Sequence, residues 1–380
     1  MHLPIYMDHA ATTPVAPEVL DAMIPYFTVN YGNPSAIHSI GTSAREAVEE
    51  SRARIAEIIN ADPEEIVFTS GGTESDNAAL FGIAHSPNPR GRHLLTSPIE
   101  HHAVLEPLES LAEQGWELEI APIEPDGLID PGELIGRIRK DTGLVSIMHA
   151  NNEIGTIQPI AEIGAFCRAS GIPFHTDAVQ TLGRLPIDVK AMNLDLMSFS
   201  AHKFYGPKGT GALYVRRGTL LKRFQEGGGQ ERGRRAGTLN VPGIVGMGKA
   251  LQIAQENMKS ESQRLTAMRD CMIQKIHERI SGVYFTGHLT KRLPHNVHVC
   301  FEGIEGETLL LALDAAGICA SAGSACSAGS VEQSHVLKAI GMNRNLARGA
   351  VRFTLGRSTS DESIEYCIQI LERTLKDLRP

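Results

Sequence analysis

A lysine placed among small residues at the end of an apolar run is the first group in this chain that can do chemistry. Residues 198–206 read SFSAHKFYG, with Lys203 near the end, and Lys208 follows in a Gly/Pro-rich turn. Desolvation at the mouth of a cleft lowers the pKa of an amine and makes it a nucleophile toward carbonyl groups. An exposed lysine before a turn is the alternative, and spacing alone does not choose between Lys203 and Lys208.

An acid and a histidine also follow apolar runs that read as strands. Asp177 ends the run FHTD and Gln180 comes three residues later; an acid in this position pairs with a protonated ring nitrogen or caps a helix. His101 is placed to stack on an aromatic ring and to move protons. The pair His101-His102 also suggests zinc, but neighbouring residues on a strand point to opposite faces, so we expect no metal site.

A turn of small residues, TSGGTE at 69–74, is a candidate anion site. Gly72 allows the backbone to approach a ligand closely, and the start of the helix that follows offers free N–H groups. Thr73 adds a hydroxyl. The turn is not a Walker loop, because it lacks the ending G-K-[ST].

Cys326 lies in an unusual segment. Apart from this cysteine, all residues from 320 to 330 are Ser, Ala or Gly. This composition predicts a mobile loop in which a large partner reaches the thiol, whereas a buried packing site of small residues is the alternative. The other cysteines are expected to be plain buried thiols. They are Cys167, Cys271, Cys300, Cys319 and Cys367.

Two arginine-containing segments complete the candidate chemistry. Arg352 lies in an apolar run that reads as a strand, where a cation is costly unless it is paired. A substrate carboxylate would make a bidentate pair with it, and a structural salt bridge is the alternative. The Gly/Arg-rich run 227–238 ends at Thr238 and fits an ordered loop near a phosphate or a subunit boundary better than an RNA-binding segment.

Composition excludes several classes of function. The chain has 380 residues, 42% of them hydrophobic, and a formal net charge of −8, so it has a sizeable core and no basic footprint for nucleic acid or a membrane surface. It contains no apolar run long enough to span a membrane, and residues 1–8 do not read as a signal peptide. We therefore expect a cytoplasmic protein with reduced thiols.

Strand-like and helix-like runs alternate along the first 250 residues, which predicts a mainly parallel sheet covered by helices on both faces. The predicted strands are 66–69, 93–96, 144–149, 173–176 and 194–199, and the clearest helices are 40–60 and 160–170. Because ligands bind beyond the carboxyl ends of such strands, the polar residues there should converge on one crevice. A helix at 251–280, a strand at 296–301 and a helix at 361–378 predict a second, smaller α+β domain.

Taken in order, these motifs resemble the cysteine desulfurases, which are class-V aminotransferase-like enzymes that use pyridoxal 5'-phosphate (PLP). The resemblance extends from about residue 5 to residue 375. The matching motifs are YMDHAATTP at 6–14, the turn at 69–77, Glu100-His101, NNEIG at 151–155, the Asp177/Gln180 segment, SAHK at 200–203, the Gly/Arg-rich run and the Cys326 segment. The last of these is similar to the branch that serves iron–sulfur assembly, including the nitrogen-fixation type.

The resemblance implies a role for each matching position. Lys203 matches the Schiff-base lysine, His101 the ring-stacking histidine that moves protons, and Cys326 the sulfur acceptor, which would carry a persulfide or contact a transferred cluster. Asp177 matches the partner of the ring nitrogen and Gln180 that of the phenolic oxygen. The phosphate ligands would be Gly72, Thr73, Ser200, His202 and, from the other subunit, Thr238. Asn152 would lie beside the cofactor and, with Arg352, hold the substrate carboxylate.

The implied fold is the type I PLP-dependent transferase fold. It is α/β, with a large domain (16–255) built on a mainly parallel seven-stranded sheet and a small α+β domain (1–15 and 256–380) that carries the cysteine loop at about 320–334. The implied reaction converts L-cysteine to L-alanine in a homodimer and passes the sulfur to an iron–sulfur scaffold or another acceptor protein. The alternatives are a selenocysteine lyase, another aminotransferase-like PLP enzyme, and a non-catalytic sulfur carrier.

Overall fold

The computed structural model describes residues 4–323 and 333–379, so Cys326 lies outside the described residues. The strands are β1 Ile5–Tyr6, β2 Ile66–Thr69, β3 His93–Thr96, β4 Glu117–Ile120, β5 Thr142–Ser146, β6 Phe174–Asp177, β7 Leu196–Ser200, β8 Gly211–Val215, β9 Gly229–Gln230, β10 Arg235–Ala236, β11 Val283–Phe285, β12 Asn296–Phe301, β13 Ile318–Cys319 and β14 Ala350–Thr354. The α-helices are α1 Pro17–Met23, α2 Pro25–Thr28, α3 Ser39–Ile58, α4 Gly72–Ala84, α5 His102–Glu113, α6 Pro131–Gly136, α7 Ile160–Ser170, α8 Val241–Arg279, α9 Gly306–Ala315, α10 His335–Ala339, α11 Arg344–Ala347 and α12 Asp361–Leu378.

A seven-stranded sheet with the order β2-β8-β7-β6-β5-β3-β4 forms the centre of the molecule. All of its strands are parallel except β8, which runs antiparallel to both β7 and β2. Side chains alternate between the two faces, because successive residues of a strand point to opposite sides. Ile66 and Phe68 of β2 join one apolar cluster with α3, α7 and α8, whereas Val67 joins a second cluster with α4 and α5. The predicted α/β fold is confirmed.

A smaller antiparallel sheet, β11-β12-β14, lies beside the second half of α8, α9 and α12. The N-terminal strand β1 pairs in parallel with β13, so the start of the chain joins this part of the structure. The domain boundary predicted near residue 255 falls within α8, which continues without a break, and the boundary stays a prediction. Within the described residues, no helix is both long and apolar enough to cross a membrane.

The start of α8 is the largest error in the predicted helices, because the structure places it at Val241 and not at residue 251. Asn240 caps this end, since its side chain accepts a hydrogen bond from the Gly243 N–H at 3.1 Å. Glycines in the first turns weaken the sequence signal for a helix. They are required by close packing, because a Cβ at Gly246 would lie 2.6 Å from the Met23 sulfur and one at Gly248 would lie 2.9 Å from Ser51 Cβ.

Candidate active site

A cleft of about 280 Å³ opens beyond the carboxyl ends of the central strands, where residues after β2, β3, β5, β6 and β7 meet residues of the smaller sheet. Most of the residues predicted for the site line this cleft. They are Gly72, Thr73, His101, Asn152, Asp177, Gln180, Ser200, His202, Lys203 and Arg352. The convergence follows from topology, because parallel strands bring their carboxyl ends to one edge of the sheet. Thr238 is exposed and does not line this cleft, and Cys326 lies outside the described residues.

Lys203 presents its amine to the cleft from the turn of 3₁₀ helix that follows β7. The Nζ donates to the carbonyl oxygens of Ala10 and Ala11, at 2.6 and 2.8 Å. Burial, and then the positive charges of Arg352 and Arg184, lower the pKa of Lys203 to about 8. The neutral form of the amine is therefore a minority near physiological pH, but a far larger one than in an ordinary lysine. Lys208 is not among the residues that line this cleft, so the structure separates the two candidates.

Asp177 ends β6 with only 6% of its surface exposed. Its Oδ1 accepts a hydrogen bond from the Val179 N–H at 2.8 Å, so the carboxylate stabilises a turn and caps none of the described helices. Burial raises the pKa of Asp177 to about 6. Behind it lies Asp76, whose pKa burial and Asp177 raise well above the usual range, so Asp76 keeps its proton and Asp177 carries the negative charge.

The N-terminus of α4 forms one end of the cleft. Gly72 begins the helix, and Thr73, Ser200 and His202 lie around it. Gly72 is needed for close packing, because a Cβ there would lie 2.7 Å from Val179 Cγ2. His202 shares a hydrogen bond of 3.0 Å with the Thr12 hydroxyl, and burial lowers its pKa to about 4, so the ring is neutral. Free N–H groups and hydroxyls at a helix start suit an anion such as phosphate.

His101 is the N-cap of α5 and is not a strand residue, so the argument against zinc from strand alternation was wrong in its premise. Its Nδ1 accepts a hydrogen bond from the Ala103 N–H at 3.1 Å, which leaves the proton of the neutral ring on Nε2. Burial, and then the charge of Lys203, lower the pKa of His101 to about 4. The described residues contain no cluster of three metal-ligating side chains.

Arg352, on β14, is 1% exposed and makes the structural salt bridge that the sequence left as an alternative. Its Nη2 lies 2.7 Å from Asp8 Oδ1, and its Nη1 donates to the carbonyl oxygens of Asn152 and Gly323 at 2.9 and 3.0 Å. The Nε of the same side chain has no partner among the described residues. The guanidinium therefore keeps a donor for a second anion at the wall of the cleft.

The five other cysteines are free thiols, and none of them lines the cleft. Cys167, Cys300 and Cys367 are buried, and burial raises the pKa of each thiol to about 12. The expectation of buried thiols is wrong for Cys271 and Cys319, which are partly exposed. Burial still raises the pKa of Cys319, so this thiol is a poor nucleophile.

Several other residues of the cleft were not predicted as site residues. They are Ala10, Ala11, Asp76, His102, Met148, Glu153, Val179, Gly323 and His335. Asp76 and Glu153 stand within motifs that were recognised, so an acid beside a predicted ligand was the available signal. His335 and Gly323 are distant in sequence from the other residues of the cleft, and only tertiary contacts bring them there.

Comparison with known proteins identifies the family. A model of the class-V aminotransferases matches residues 5–367. The chain belongs to this family. It is 50% identical to a cysteine desulfurase IscS of Dictyoglomus turgidum, over 99% of this chain and 95% of that protein. It is 49% identical to a cysteine desulfurase IscS of Methanosarcina thermophila, over 99% and 93% of the two chains.

Solved structures agree with this family. A NifS-like protein superimposes with a TM-score of 0.93 at 37% identity, covering 99% of this chain and all of that one. The structure of SspA in complex with cysteine gives a TM-score of 0.81 at 39% identity, covering 92% and 98% of the two chains. The predicted resemblance to the cysteine desulfurases, and with it the type I fold of PLP enzymes, is confirmed.

Enzymes of this family use PLP, and the donor set of the cleft fits that cofactor. A helix start faces the place for a phosphate, a buried acid stands where a ring nitrogen can be paired, and a neutral amine is available to an aldehyde. Three buried polar atoms of the cleft also lack partners within the described residues: Asp76 Oδ1, Gln180 Oε1 and Arg352 Nε. Buried polar atoms are normally paired, so these are places for a ligand to supply the partner.

Proposed function

We propose that this enzyme is a cysteine desulfurase that takes the sulfur of L-cysteine onto Cys326 and releases L-alanine. Together, L-cysteine and the Cys326 thiol contain the same atoms as L-alanine and the Cys326 persulfide, so the step needs no external oxidant or reductant. The observation that carries the proposal is the cleft in which Lys203, with its lowered pKa, lies with Asp177 and Arg352. The family and its cysteine desulfurase relatives support the same reaction.

The residues that would hold PLP fall into groups, according to the part of the cofactor that each one suits. Thr73, Ser200 and His202 suit the phosphate, Asp177 suits the ring nitrogen, and Gln180 suits the phenolic oxygen. His101 lies where an aromatic ring can stack on it, and Asn152 lies on the same wall. When bound, the protonated ring of PLP accepts the electron pair left at the substrate Cα after that carbon loses its proton. Asp177 keeps the ring protonated because its own charge is retained in the cleft.

The side chains of the cleft would bind the substrate and move its protons. Arg352 and Asn152 hold the substrate carboxylate, and Arg352 uses the donor that its salt bridge with Asp8 leaves free. The neutral form of the Lys203 amine removes the proton from Cα, and a pKa of about 8 makes this form far more available at physiological pH than in an ordinary lysine. His101 carries a proton on Nε2 and is the group that moves protons in the later steps.

Cys326 follows Gly323 by three residues, and Gly323 lines the cleft. Three residues span at most about 11 Å, and this short separation supports Cys326 as the acceptor thiol. The thiolate attacks the substrate sulfur, an S–S bond forms, and the bond from that sulfur to Cβ breaks. The electron pair of the broken bond stays with the substrate carbon, which takes up a proton and becomes the methyl group of alanine. The outer sulfur of the persulfide then passes to an acceptor protein of iron–sulfur assembly.

We also propose that the enzyme is a homodimer in the cytoplasm. Between residues 20 and 40 lie the exposed apolar side chains Leu20, Ile24, Phe27, Val29, Tyr31, Ile37 and Ile40. Such a concentration of exposed apolar side chains in one stretch of chain supports a subunit interface. Ser35 in this stretch hydrogen bonds to Gln230, which belongs to the segment that leads to Thr238, at 3.1 Å. A second subunit bound here would bring its own Thr238 segment to the partner, and the free thiols fit a reducing compartment.

The test is the release of alanine and sulfide from L-cysteine in the presence of a phosphine reductant, which contains no thiol. The wild type should release both in equal amounts. Cys326→Ala should bind PLP and L-cysteine but release at most about one hundredth as much of either product, because the acceptor thiol is missing. Cys319→Ala, which removes a thiol seven residues earlier, is the matched control and should behave as the wild type. Normal alanine release by Cys326→Ala, or pyruvate from the wild type, would contradict the proposal.

A further inference from the structure

The two stretches of chain that flank residues 324–332 end on one group of buried side chains beside the cleft. On the first side, Gly323 donates its N–H to the Ser321 hydroxyl at 3.2 Å and accepts from Arg352 Nη1 at 3.0 Å. On the second side, the Ser334 hydroxyl donates to Glu153 Oε2 at 2.6 Å. Glu153 and Arg352 thus hold the opposite ends of the segment that contains Cys326.

Glu153 also lies close to the first side. Gly323 has a left-handed φ of +96°, and a Cβ built there would lie 3.4 Å from Glu153 Oε2 and 3.3 Å from His298 Nε2. His298 is fully buried; its Nδ1 shares a hydrogen bond of 2.7 Å with the Thr286 hydroxyl, and its Nε2 has no partner among the described residues. The backbone of Gly323 therefore lies near the Glu153 carboxylate.

The backbone of Glu153 is held on both of its polar atoms. Its N–H donates to Asn151 Oδ1 at 2.9 Å, and its carbonyl accepts from Asn296 Nδ2 at 2.9 Å. The backbone from which this side chain extends is therefore fixed, which restricts where the carboxylate can lie. Asn152, the residue just before it, lines the cleft and was assigned to the substrate carboxylate.

A purely structural role does not account for a carboxylate here. Glu153 is 2% exposed, and among the described residues it makes no salt bridge; its one side-chain hydrogen bond is with a neutral hydroxyl. Burial raises its pKa, and the charged or titratable groups that face it are His335, Arg352 and His102. A buried acid without a close cation costs free energy, and such groups are often retained for function.

We propose that Glu153 is a positioning residue for the transfer of sulfur to Cys326. Through Ser334 and Gly323 it sets where the two ends of the segment 324–332 leave the cleft, and so it sets how often the thiol meets the substrate sulfur. The inference rests on the proposed function and deepens it, because it names what aligns the acceptor. The inference also distinguishes sulfur transfer from the earlier steps. Glu153 acts on sulfur transfer, and it does not act on substrate binding or on removal of the Cα proton.

The test follows both steps in one rapid-mixing experiment on the PLP-loaded enzyme. The first change in the visible absorbance of the cofactor on adding L-cysteine reports substrate binding. Alkylation followed by mass spectrometry reports the persulfide on Cys326 in a single turnover. Glu153→Ala and Ser334→Ala should slow persulfide formation at least tenfold while leaving the first absorbance change within about twofold, because misplacing a reacting group costs up to ~10²-fold. Ser334→Thr keeps the hydroxyl and should restore the rate.

Two control variants, matched to Glu153→Ala and Ser334→Ala, show whether loss of a buried glutamate or of a helix-capping serine is by itself enough to slow the enzyme. Glu65→Ala removes a buried glutamate that accepts from the Arg217 N–H at 2.7 Å, far from the cleft. Ser360→Ala removes a serine that caps α12 as Ser334 caps α10. Both should leave persulfide formation unchanged. If the Glu153 and Ser334 variants slow both steps equally, or slow neither, Glu153 has no positioning role.

A double-mutant comparison tests whether Glu153 acts through Cys326. In a Cys326→Ala background, with a small thiol supplied as sulfur acceptor, adding Glu153→Ala should cause no further loss of alanine release. A further tenfold loss there would overturn the inference while leaving the desulfurase proposal standing. If wild-type enzyme forms no persulfide on Cys326 at all, the proposed function fails instead, so the two failures are distinct.

Discussion

Lys203 illustrates how the surroundings of one residue select its chemistry. The chain contains other lysines in turns, and Lys208 lies only five residues away. Burial and the charges of Arg352 and Arg184 act on Lys203, since its amine lies inside the cleft. Its only hydrogen-bond partners among the described residues are the carbonyl oxygens of Ala10 and Ala11. The amine is thus held in place by neutral acceptors, which do not stabilise its charge as an acid would.

The lowered pKa of Lys203 predicts the pH dependence of its reaction with PLP. The neutral amine is the nucleophile, so the rate of covalent PLP uptake by cofactor-free protein should rise through about pH 8 and level off above it. Between about pH 6 and pH 8 the rise should be roughly fiftyfold, because the neutral fraction increases by that factor. Borohydride reduction followed by mass spectrometry measures the uptake.

Two variants serve as controls for this profile. Lys208→Arg should take up PLP with an unchanged profile, and Lys203→Arg should form no reducible bond. A rate that still climbs steeply at about pH 10 would show that the amine has the ordinary pKa of a lysine.

Residues that belong to recognised motifs lie together in the cleft, whereas residues without a local signal were missed. Asp177 and His101 lie in the cleft as expected, although His101 is a helix N-cap and not a strand residue. His335 was missed because nothing in its own segment shows that its Nε2 would lie 2.9 Å from the Glu100 carbonyl oxygen.

At the scale of elements, a buried ion pair ties α3 to the Gly/Arg-rich segment. Arg52 makes a bidentate pair with Glu231, at 2.8 and 2.7 Å, and both side chains are almost fully buried. Glu231 also accepts from the Phe68 N–H at 2.8 Å, which joins the pair to β2. The pair therefore fixes the segment that leads to Thr238. From the sequence, only the Gly/Arg-rich composition of this segment was recognised.

Removal of Glu231 should destabilise the fold strongly. Glu231→Ala removes the buried bidentate partner of Arg52 and leaves it only the half-exposed Glu49, and breaking such a buried pair costs about 3–5 kcal/mol. The free energy of unfolding, from urea denaturation followed by circular dichroism, measures the loss. Glu50→Ala, which breaks the exposed pair with Arg54 on the same helix, should cost less than about 1 kcal/mol. Equal losses in the two variants would show that the Arg52–Glu231 pair adds nothing by being buried.

At the scale of the whole molecule, the proposed dimer would explain two exposed features together. They are the apolar side chains between residues 20 and 40 and the side chain of Thr238. A subunit that donates Thr238 to its partner's phosphate site needs an interface next to that site. Phe27 is 59% exposed, and a charge placed there would oppose association. Phe27→Glu should therefore shift the protein from dimer to monomer and weaken retention of PLP.

Light scattering coupled to gel filtration measures the mass, and dialysis measures the retained cofactor. Leu289→Glu is the control, since Leu289 is 83% exposed but lies in the smaller part of the structure. It should remain dimeric. A monomeric wild type, or a Phe27→Glu protein that stays dimeric with full PLP retention, would contradict the dimer interface proposed here.

Local patterns in the amino-acid sequence predicted the fold class, five of the seven strands of the central sheet, several of the helices, and many of the polar residues that follow the strands. These properties depend on local apolar periodicity and on turn residues, which each segment carries within itself. Tertiary structure decided the rest. It brought Gly323 and His335 to the cleft, lowered the pKa of Lys203, and joined Glu153 to Ser334, because burial and charge arise only when distant segments pack together.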